Sequence, residues 1–300
     1  MIPGIDTSKW QFQIEAKPDF SVAISHGVKF IIARSSIGLV KDEYYDLQAQ
    51  AAQECGLTQG AYHWVKPHIN QARAEAEFFL QSAGPATFLM ADIEENALTV
   101  PEWAGRRVAD WFHEFLDILE AGHGKQPIIY TGAWWWDPRF GELGQEFAKY
   151  DFMVSGYPHQ WSGGQASWPP VPLDANEWHE WATTTQGGDP GMPQGPRTPR
   201  GEDEWSGWQF SSWALAGDYG FVDPGAKDVR LDCNVVKPEA WERWSATPDV
   251  ALKPCTLCGA QMADEAAHAA WHADLAASLW RLSRIDVALT AMCQMLALDD

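Results

Sequence analysis

"ATFLMADIEEN", residues 86–96, is the stretch on which the fold turns. Phe88, Leu89, Met90 and Ala91 form an apolar run of strand length, and Asp92 and Glu94 follow it two residues apart. A buried strand is an expensive place for carboxylates, because an ionised group loses its hydration there. Residues i and i+2 of a strand face the same side, so Asp92 and Glu94 project together and Glu95 points the other way. Taken alone, the pattern reads either as a strand end with solvated acids or as two acids facing a shared cavity.

Outward from this stretch, strand and helix signals alternate. "KFIIARSS" (29–36), "QGAYHWVKP" (59–67), "KQPIIYTG" (125–132) and "YDFMVSGYP" (150–158) are strand-like. Between them, "DLQAQAAQECG" (46–56) and "NQARAEAEFFLQSAG" (70–84) are helix-like and stop at glycine, and 100–124 reads as a longer helix with Trp103, Val108, Trp111, Phe115 and Ile118 at helical spacing. Repeated β-then-α units imply a parallel sheet covered by helices, and so many units in one domain point to a closed or nearly closed barrel. The C-terminal end of such a strand opens onto the barrel mouth. Two carboxylates held there in a partly dry cleft have their pKa values pushed apart, which is the pairing that glycoside hydrolysis needs.

Residues 159–204 break the rhythm with Gly, Pro, Thr and charge, and read as an insertion carrying Trp161, Trp168, Trp178 and Trp181. It either lengthens the cleft wall or decorates the surface. Strand signals resume at "SGWQFSS" (206–212) and "VRLDCNVV" (229–236). A composition change near 245–254 separates a large domain, 1–247, from a small unit, 248–300.

A formal net charge of −20 argues against nucleic acid and anionic membrane as electrostatic partners, while leaving room for a local cationic patch. No segment approaches the roughly 18 apolar residues of a membrane span, and "MIPGIDTSKWQ" lacks the basic and apolar parts of a signal peptide. The 18 Trp residues suit sugar stacking and core packing alike.

The segments "GIDTSKWQ" (4–11), "GAYHWVKP" (60–67), "MADIEEN" (90–96), "PIIYTGAWWW" (127–136), "WQFSS" (208–212) and "DCN" (232–234) occur in this order. Together they resemble glycoside hydrolase family 25, the muramidases that cut peptidoglycan and are common among phage and bacterial lysis proteins. The resemblance covers about 1–245. It implies an α/β fold, an irregular TIM-like β/α barrel with acids around its mouth, that needs no cofactor for catalysis. Carried onto matching positions, Glu94 is the general acid for the N-acetylmuramic acid to N-acetylglucosamine β-1,4 bond. Asp92 stabilises positive charge or orients the 2-acetamido group, and Asp6 and Asp232 complete the acidic cluster. The resemblance favours retention of configuration, which the first anomer seen by proton NMR would report.

Tyr62, Trp64, Tyr130 and Tyr157 stand at strand ends where rings can floor sugar subsites. Gln209 is a hydrogen-bonder at the mouth, and Arg34 either binds substrate or forms a structural ion pair. At least one of Trp134, Trp135 and Trp136 is expected on the cleft rim. The expected partner is the peptidoglycan glycan strand, reached by holin-dependent release in phage lysis or from a virion. Two alternatives stand beside this reading. Chitinase-like hydrolases also carry D-x-E, though in a longer acidic run where this chain has Met90. A virion structural or wall-binding protein could retain the barrel without activity.

In the small unit, "CTLCGAQMADEAAHAAWH" (255–272) places Cys255 and Cys258 two residues apart, then His268 and His272 at i, i+4 on a helix. That set suits a structural zinc site, or else a reduced thiol pair and two surface histidines. Leu275, Leu279, Leu282, Ile285, Leu289, Met292 and Leu296 then form one apolar stripe along a helix over 273–298. The stripe docks on the barrel, self-associates into a homo-oligomer, or attaches to another protein such as a virion component.

Overall fold

The computed structural model describes residues 1–12, 16–95, 102–157, 160–162, 165–167, 170–184, 195–199, 204–221, 229–246, 253–254 and 261–262. The chain divides into two units, Met1–Pro248 and Asp249–Asp300.

In the first unit the strands are β1 (Ile2–Thr7), β2 (Phe30–Ile37), β3 (Val40–Lys41), β4 (Thr58–Trp64), β5 (Leu89–Asp92), β6 (Ile128–Thr131), β7 (Phe152–Ser155), β8 (Gln160–Ser162), β9 (Gln165–Ser167), β10 (Gly207–Leu215) and β11 (Arg230–Val236). The helices are α1 (Phe20–Ser25), α2 (Tyr45–Cys55), α3 (Ala72–Ala83), α4 (Arg106–His123), α5 (Ala133–Phe140), α6 (Trp178–Thr184) and α7 (Pro238–Ser245). The sheet runs β1-β11-β10-β7-β6-β5-β4-β2, and β1 also pairs with β2, so eight strands close into a barrel. β3 only hairpins back on β2, and β8 and β9 pair apart from the barrel.

The all-parallel expectation fails at one strand. β11 is antiparallel to both of its neighbours, β10 and β1, while the other pairs of the barrel wall are parallel. Among the described residues no α-helix lies between β10 and β11, and the connection of fourteen residues suits a return in the opposite direction rather than a crossover. A second difference lies at α4. It begins at Arg106, after Gly105 at φ +62°, so Trp103 stands outside the helix with the Arg107 guanidinium 3.9 Å above its ring.

The lower barrel is apolar. Phe30 meets Phe88 edge-on with centroids 6.3 Å apart, and Trp241 of α7 stacks on Phe30 at 5.0 Å. Gly4 and Gly60 make room for these rings, since a Cβ at either would come within 2.2 Å of Phe30 or Phe88. Lys125 holds α7 across this end by donating to the carbonyls of Thr87, Trp244 and Ala246, and burial lowers its pKa to about 8. Outside the barrel, Val108, Phe112, Phe115 and Leu119 of α4 are buried with Phe79 of α3 and Trp135 and Trp136 of α5.

Part of the insertion is core rather than cleft wall or decoration. Trp178 is fully buried and meets Phe210 and Tyr219 edge-on, each at 5.7 Å, and Trp181 lies 5.7 Å from Phe210. A hydrogen bond of 2.7 Å from Ala175 N to the His26 carbonyl ties the same segment to the end of α1. Neither alternative of the sequence reading covers this segment, because an aromatic-rich stretch can serve as the apolar cover of a strand that has no helix of its own.

In the second unit, Lys253–Pro254 and Gln261–Met262 pair antiparallel. Cys255, Cys258, His268, His272 and the stripe over 273–298 lie outside the described residues. No helix among the described residues is long and apolar enough to cross a membrane.

Candidate active site

The pleat of β5 separates two environments. Phe88, Met90 and Asp92 face the barrel interior, whereas Leu89, Ala91 and Ile93 pack into the outer core. The last ladder bond runs from Ile93 N to the Tyr130 carbonyl at 3.0 Å, and the chain keeps its alternation one step further, which turns Glu94 into the cavity. Thr131 Oγ1 donates to the Ile93 carbonyl at 2.9 Å and Trp135 Nε1 to the Glu95 carbonyl at 3.1 Å, so the backbone is fixed on both sides of Glu94. Glu95 does point away, but it is buried and ion-paired with Lys66.

The cavity at the mouth has a volume of about 540 Å³. The carboxyl groups of Asp6, Asp92, Glu94 and Asp232 line it, and so do Tyr62, Trp64, Tyr130, Tyr157, Gln209 and Arg34. The structure therefore brings together the four acids and the six residues expected to bind substrate. Register explains the meeting: Asp92 stands between Trp64 and Tyr130 on the adjacent strands, and Asp6 stands opposite Asp232.

Gln209 organises one side of the site. Its Oε1 accepts from Tyr130 Oη at 2.7 Å and Tyr157 Oη at 2.5 Å, which leaves its amide to donate to Asp6 Oδ2 at 2.9 Å. Asn234 Nδ2 donates to the same oxygen at 2.8 Å. Two amide donors favour the ionised form of Asp6. Burial still raises its pKa, and the hydrogen bonds of Asn234, Gln209 and Asp232 pull it back. Asp232 holds the proton of this pair, because burial and then the Asp6 charge push its pKa well up.

Around the other acids, repulsion dominates. Burial first, then the charges of Glu94 and Asp6, raises Asp92 well above the carboxylate range, against the opposing pull of Arg34 and Lys66. Asp92 Oδ1 is buried without a hydrogen-bond partner among the described residues. Burial and then the Asp6 charge raise Glu94 to about 7. The hydroxyls of Tyr62, Tyr130 and Tyr157 are pushed well above their ordinary value by burial, so they stay neutral donors.

Arg34 resolves as a structural ion pair that also forms part of the wall. Its Nε and Nη2 reach Asp42 Oδ2 at 2.9 and 2.8 Å, and both side chains are buried. Trp64 carries the Lys66 ammonium 5.0 Å above its ring. Among the described residues no cluster is set to hold a metal ion. The site as built offers one carboxyl that exchanges its proton near neutral pH, set among further acids that stabilise positive charge.

The sequence model of glycosyl hydrolases family 25 matches residues 5–218. The chain belongs to that family. Protein YegX of Escherichia coli K12 is 32% identical over 166 residues, covering 52% of this chain and 56% of that protein. Lysozyme M1 of Streptomyces globisporus is 27% identical over 198 residues, covering 62% and 63%. The chain thus spans between about half and two-thirds of the length of the curated relatives it matches. The crystal structure of a lysozyme from Streptomyces coelicolor superposes with a TM-score of 0.60 at 20% identity, over 83% of this chain and 98% of that one, and so shares the fold.

The family span ends before β11, so Asp232 reaches the site through the strand that closes the barrel. Of the three consecutive tryptophans, Trp135 and Trp136 are fully buried in the outer core, whereas Trp134 is exposed with its indole beside Gly132 and Ser155 at the ends of β6 and β7, at the mouth end of the barrel though outside the cavity lining. Consecutive helical positions diverge by about 100°, and here the buried side of α5 faces the barrel wall. Sequence reasoning passed over Ser8, Trp10, Gln11, Ser212, Trp213, Val229 and Arg230, all of which line the cavity. Only their closeness to quoted motifs marked them, since Trp10 and Gln11 sit within "GIDTSKWQ" and Ser212 ends "WQFSS".

Proposed function

We propose that this barrel is a muramidase that cleaves the β-1,4 bond between N-acetylmuramic acid and N-acetylglucosamine in peptidoglycan. The observation that carries the reading is Glu94, a carboxyl held near pKa 7 among three further acids in one cavity. At neutral pH it exchanges a proton readily, which is what protonation of a glycosidic oxygen requires.

As the bond from the anomeric carbon to that oxygen breaks, Glu94 gives its proton to the leaving sugar and becomes a carboxylate. The positive charge that grows on the ring is stabilised first by the Asp6 carboxylate, and it also eases ionisation of Asp92, whose proton is held by burial and by the charges of Glu94 and Asp6. Asp92 Oδ1, which lacks a protein donor, is the natural acceptor for the N–H of a 2-acetamido group. Tyr130 and Tyr157, fixed on Gln209, keep Asp6 in place as the charge develops. Family membership and the likeness to Lysozyme M1 support the substrate class.

Digestion of purified walls by wild type and Glu94→Gln tests the proposal. New reducing ends from wild type, lowered about 10²–10⁴-fold in the variant, are the expected result. Equal release by both, or none from wild type, rejects it. The biological setting we favour is phage lysis or wall penetration, supported by the resemblance to lytic muramidases; presence or absence of the protein in purified virions separates the two routes. For the second unit we propose structural zinc on Cys255, Cys258, His268 and His272. Stoichiometric zinc in the full chain, lost in Cys255→Ser, is expected; equal zinc content in both proteins rejects the site.

A further inference from the structure

Strand β10 slips register against β11 twice, between Gln209 and Ser211 and again between Ser211 and Ala214. The slips free Ser212 and Trp213 from the ladder, and both turn into the cavity wall. A bulge beside a site re-aims side chains in this way. Across from them stands Arg230, the first residue of β11. Its guanidinium lies over the Trp213 ring, 4.8 Å from the centroid, and its Nη1 donates to the Trp213 carbonyl at 3.1 Å. The Arg230 carbonyl in turn accepts from Gln11 Nε2 at 2.8 Å, which ties this corner to the segment carrying Trp10, 70% exposed at the rim.

Two arginines line the cavity, and their situations differ. Arg34 is committed to Asp42. The Arg230 guanidinium has no carboxylate partner among the described residues, and its one hydrogen bond to them is from Nη1 to the Trp213 carbonyl. A guanidinium held over an indole and bonded through Nη1 alone is positioned to offer its remaining N–H groups to a carboxylate as two parallel hydrogen bonds. The centre of the cleft disfavours a further anion, because the Asp6 charge already pushes Glu94, Asp92 and Asp232 toward their neutral forms. An anionic part of a substrate is therefore accepted at the Arg230 corner and rejected beside Glu94.

We propose that Arg230, stacked on Trp213, is a subsite for a carboxylate on the muramyl substituent of the glycan. The carboxylate comes either from the lactyl group itself or from the peptide it carries. The subsite rests on the muramidase reading and deepens it. It explains how an acidic enzyme selects an anionic N-acylated glycan over an uncharged one.

The test compares intact walls with the same walls whose carboxylates have been converted to neutral amides. Wild type, Arg230→Gln and Arg230→Lys are assayed for kcat/KM on both. The net charge of −20 by itself favours the amidated wall, so a preference for the native wall is specific. The expected result is a preference of about tenfold in wild type, the size of one lost charge-assisted pair, collapsing toward unity in Arg230→Gln and only partly restored by Lys. Equal ratios in wild type and Arg230→Gln overturn the subsite. Strands stripped of peptide by an amidase, which keep only the lactyl carboxylate, show which source is bound. Failure of wild type to release reducing ends from either wall sinks the muramidase reading instead. Sedimentation binding to native and amidated walls then judges the subsite alone, which stands if the Arg230→Gln protein loses a wild-type preference and falls if it does not.

Discussion

The two faces of β4 carry buried polar groups that behave in opposite ways. On the outer face, His63 is hydrogen-bonded through both ring nitrogens, to Ser36 Oγ at 2.8 Å and Glu75 Oε2 at 2.9 Å, and lies between Phe79 and Phe115. Glu75 also accepts the backbone N–H of Lys66 and the amide of Asn70. On the inner face, Tyr62 and Trp64 look onto acids that are raised by burial and by one another, with Asp92 Oδ1 unpartnered. Both sets are buried and titratable, so burial alone does not mark a chemical site. A satisfied network fixes the fold, and a group of like charges left short of partners around a cavity is poised to exchange protons with a ligand.

Removing the outer network should give the largest stability effect. Glu75→Ala leaves His63 and the Lys66 N–H buried without their acceptor, and should cost about 3–5 kcal/mol in denaturant unfolding. A loss below about 1 kcal/mol would place Glu75 in the class of dispensable surface acids and break the contrast. The inner set is better probed by pH. With Glu94 as the proton donor, kcat/KM should fall about tenfold per unit above a midpoint near pH 7. A midpoint near 4.5 would mean that the cavity does not hold the proton.

The same group gives the smallest effect, in stability. Its folded pKa of about 7 lies above the ordinary 4.5, so the folded state holds the proton more tightly than the unfolded chain does. The contribution is full below about 4.5 and is lost as pH rises through 7. Glu94→Gln removes that loss, so at pH 8 it should raise Tm by a few °C, a gain bounded by the roughly 3 kcal/mol that a shift from 4.5 to about 7 is worth, with little change at pH 5. Equal shifts at both pH values would detach the effect from ionisation.

Much of the site was legible because it follows short-range rules. The i, i+2 alternation put Asp92 and Glu94 on one face, and the ordered motifs put Asp6 and Asp232 beside them. What escaped depends on partners distant in the chain. Arg34 could be read as a substrate ligand until Asp42 folded onto it. Trp213 and Arg230 entered the wall through two register slips that no local pattern announces. Trp178 looked like loop composition and became core because Phe210 and Tyr219 lay open to it.

Periodicity carried the strand–helix alternation and the barrel, and the resemblance of six ordered motifs carried the four acids and the family, since pattern and motif are properties of the chain alone. Tertiary structure alone decided the reversed strand β11, the proton held near pH 7 by Glu94, and the division of Asp6 and Asp232 into anion and acid. The reason is physical. A carboxyl's pKa is set by what surrounds it, and Asp6 takes a hydrogen bond from Asn234, 228 residues away along the chain.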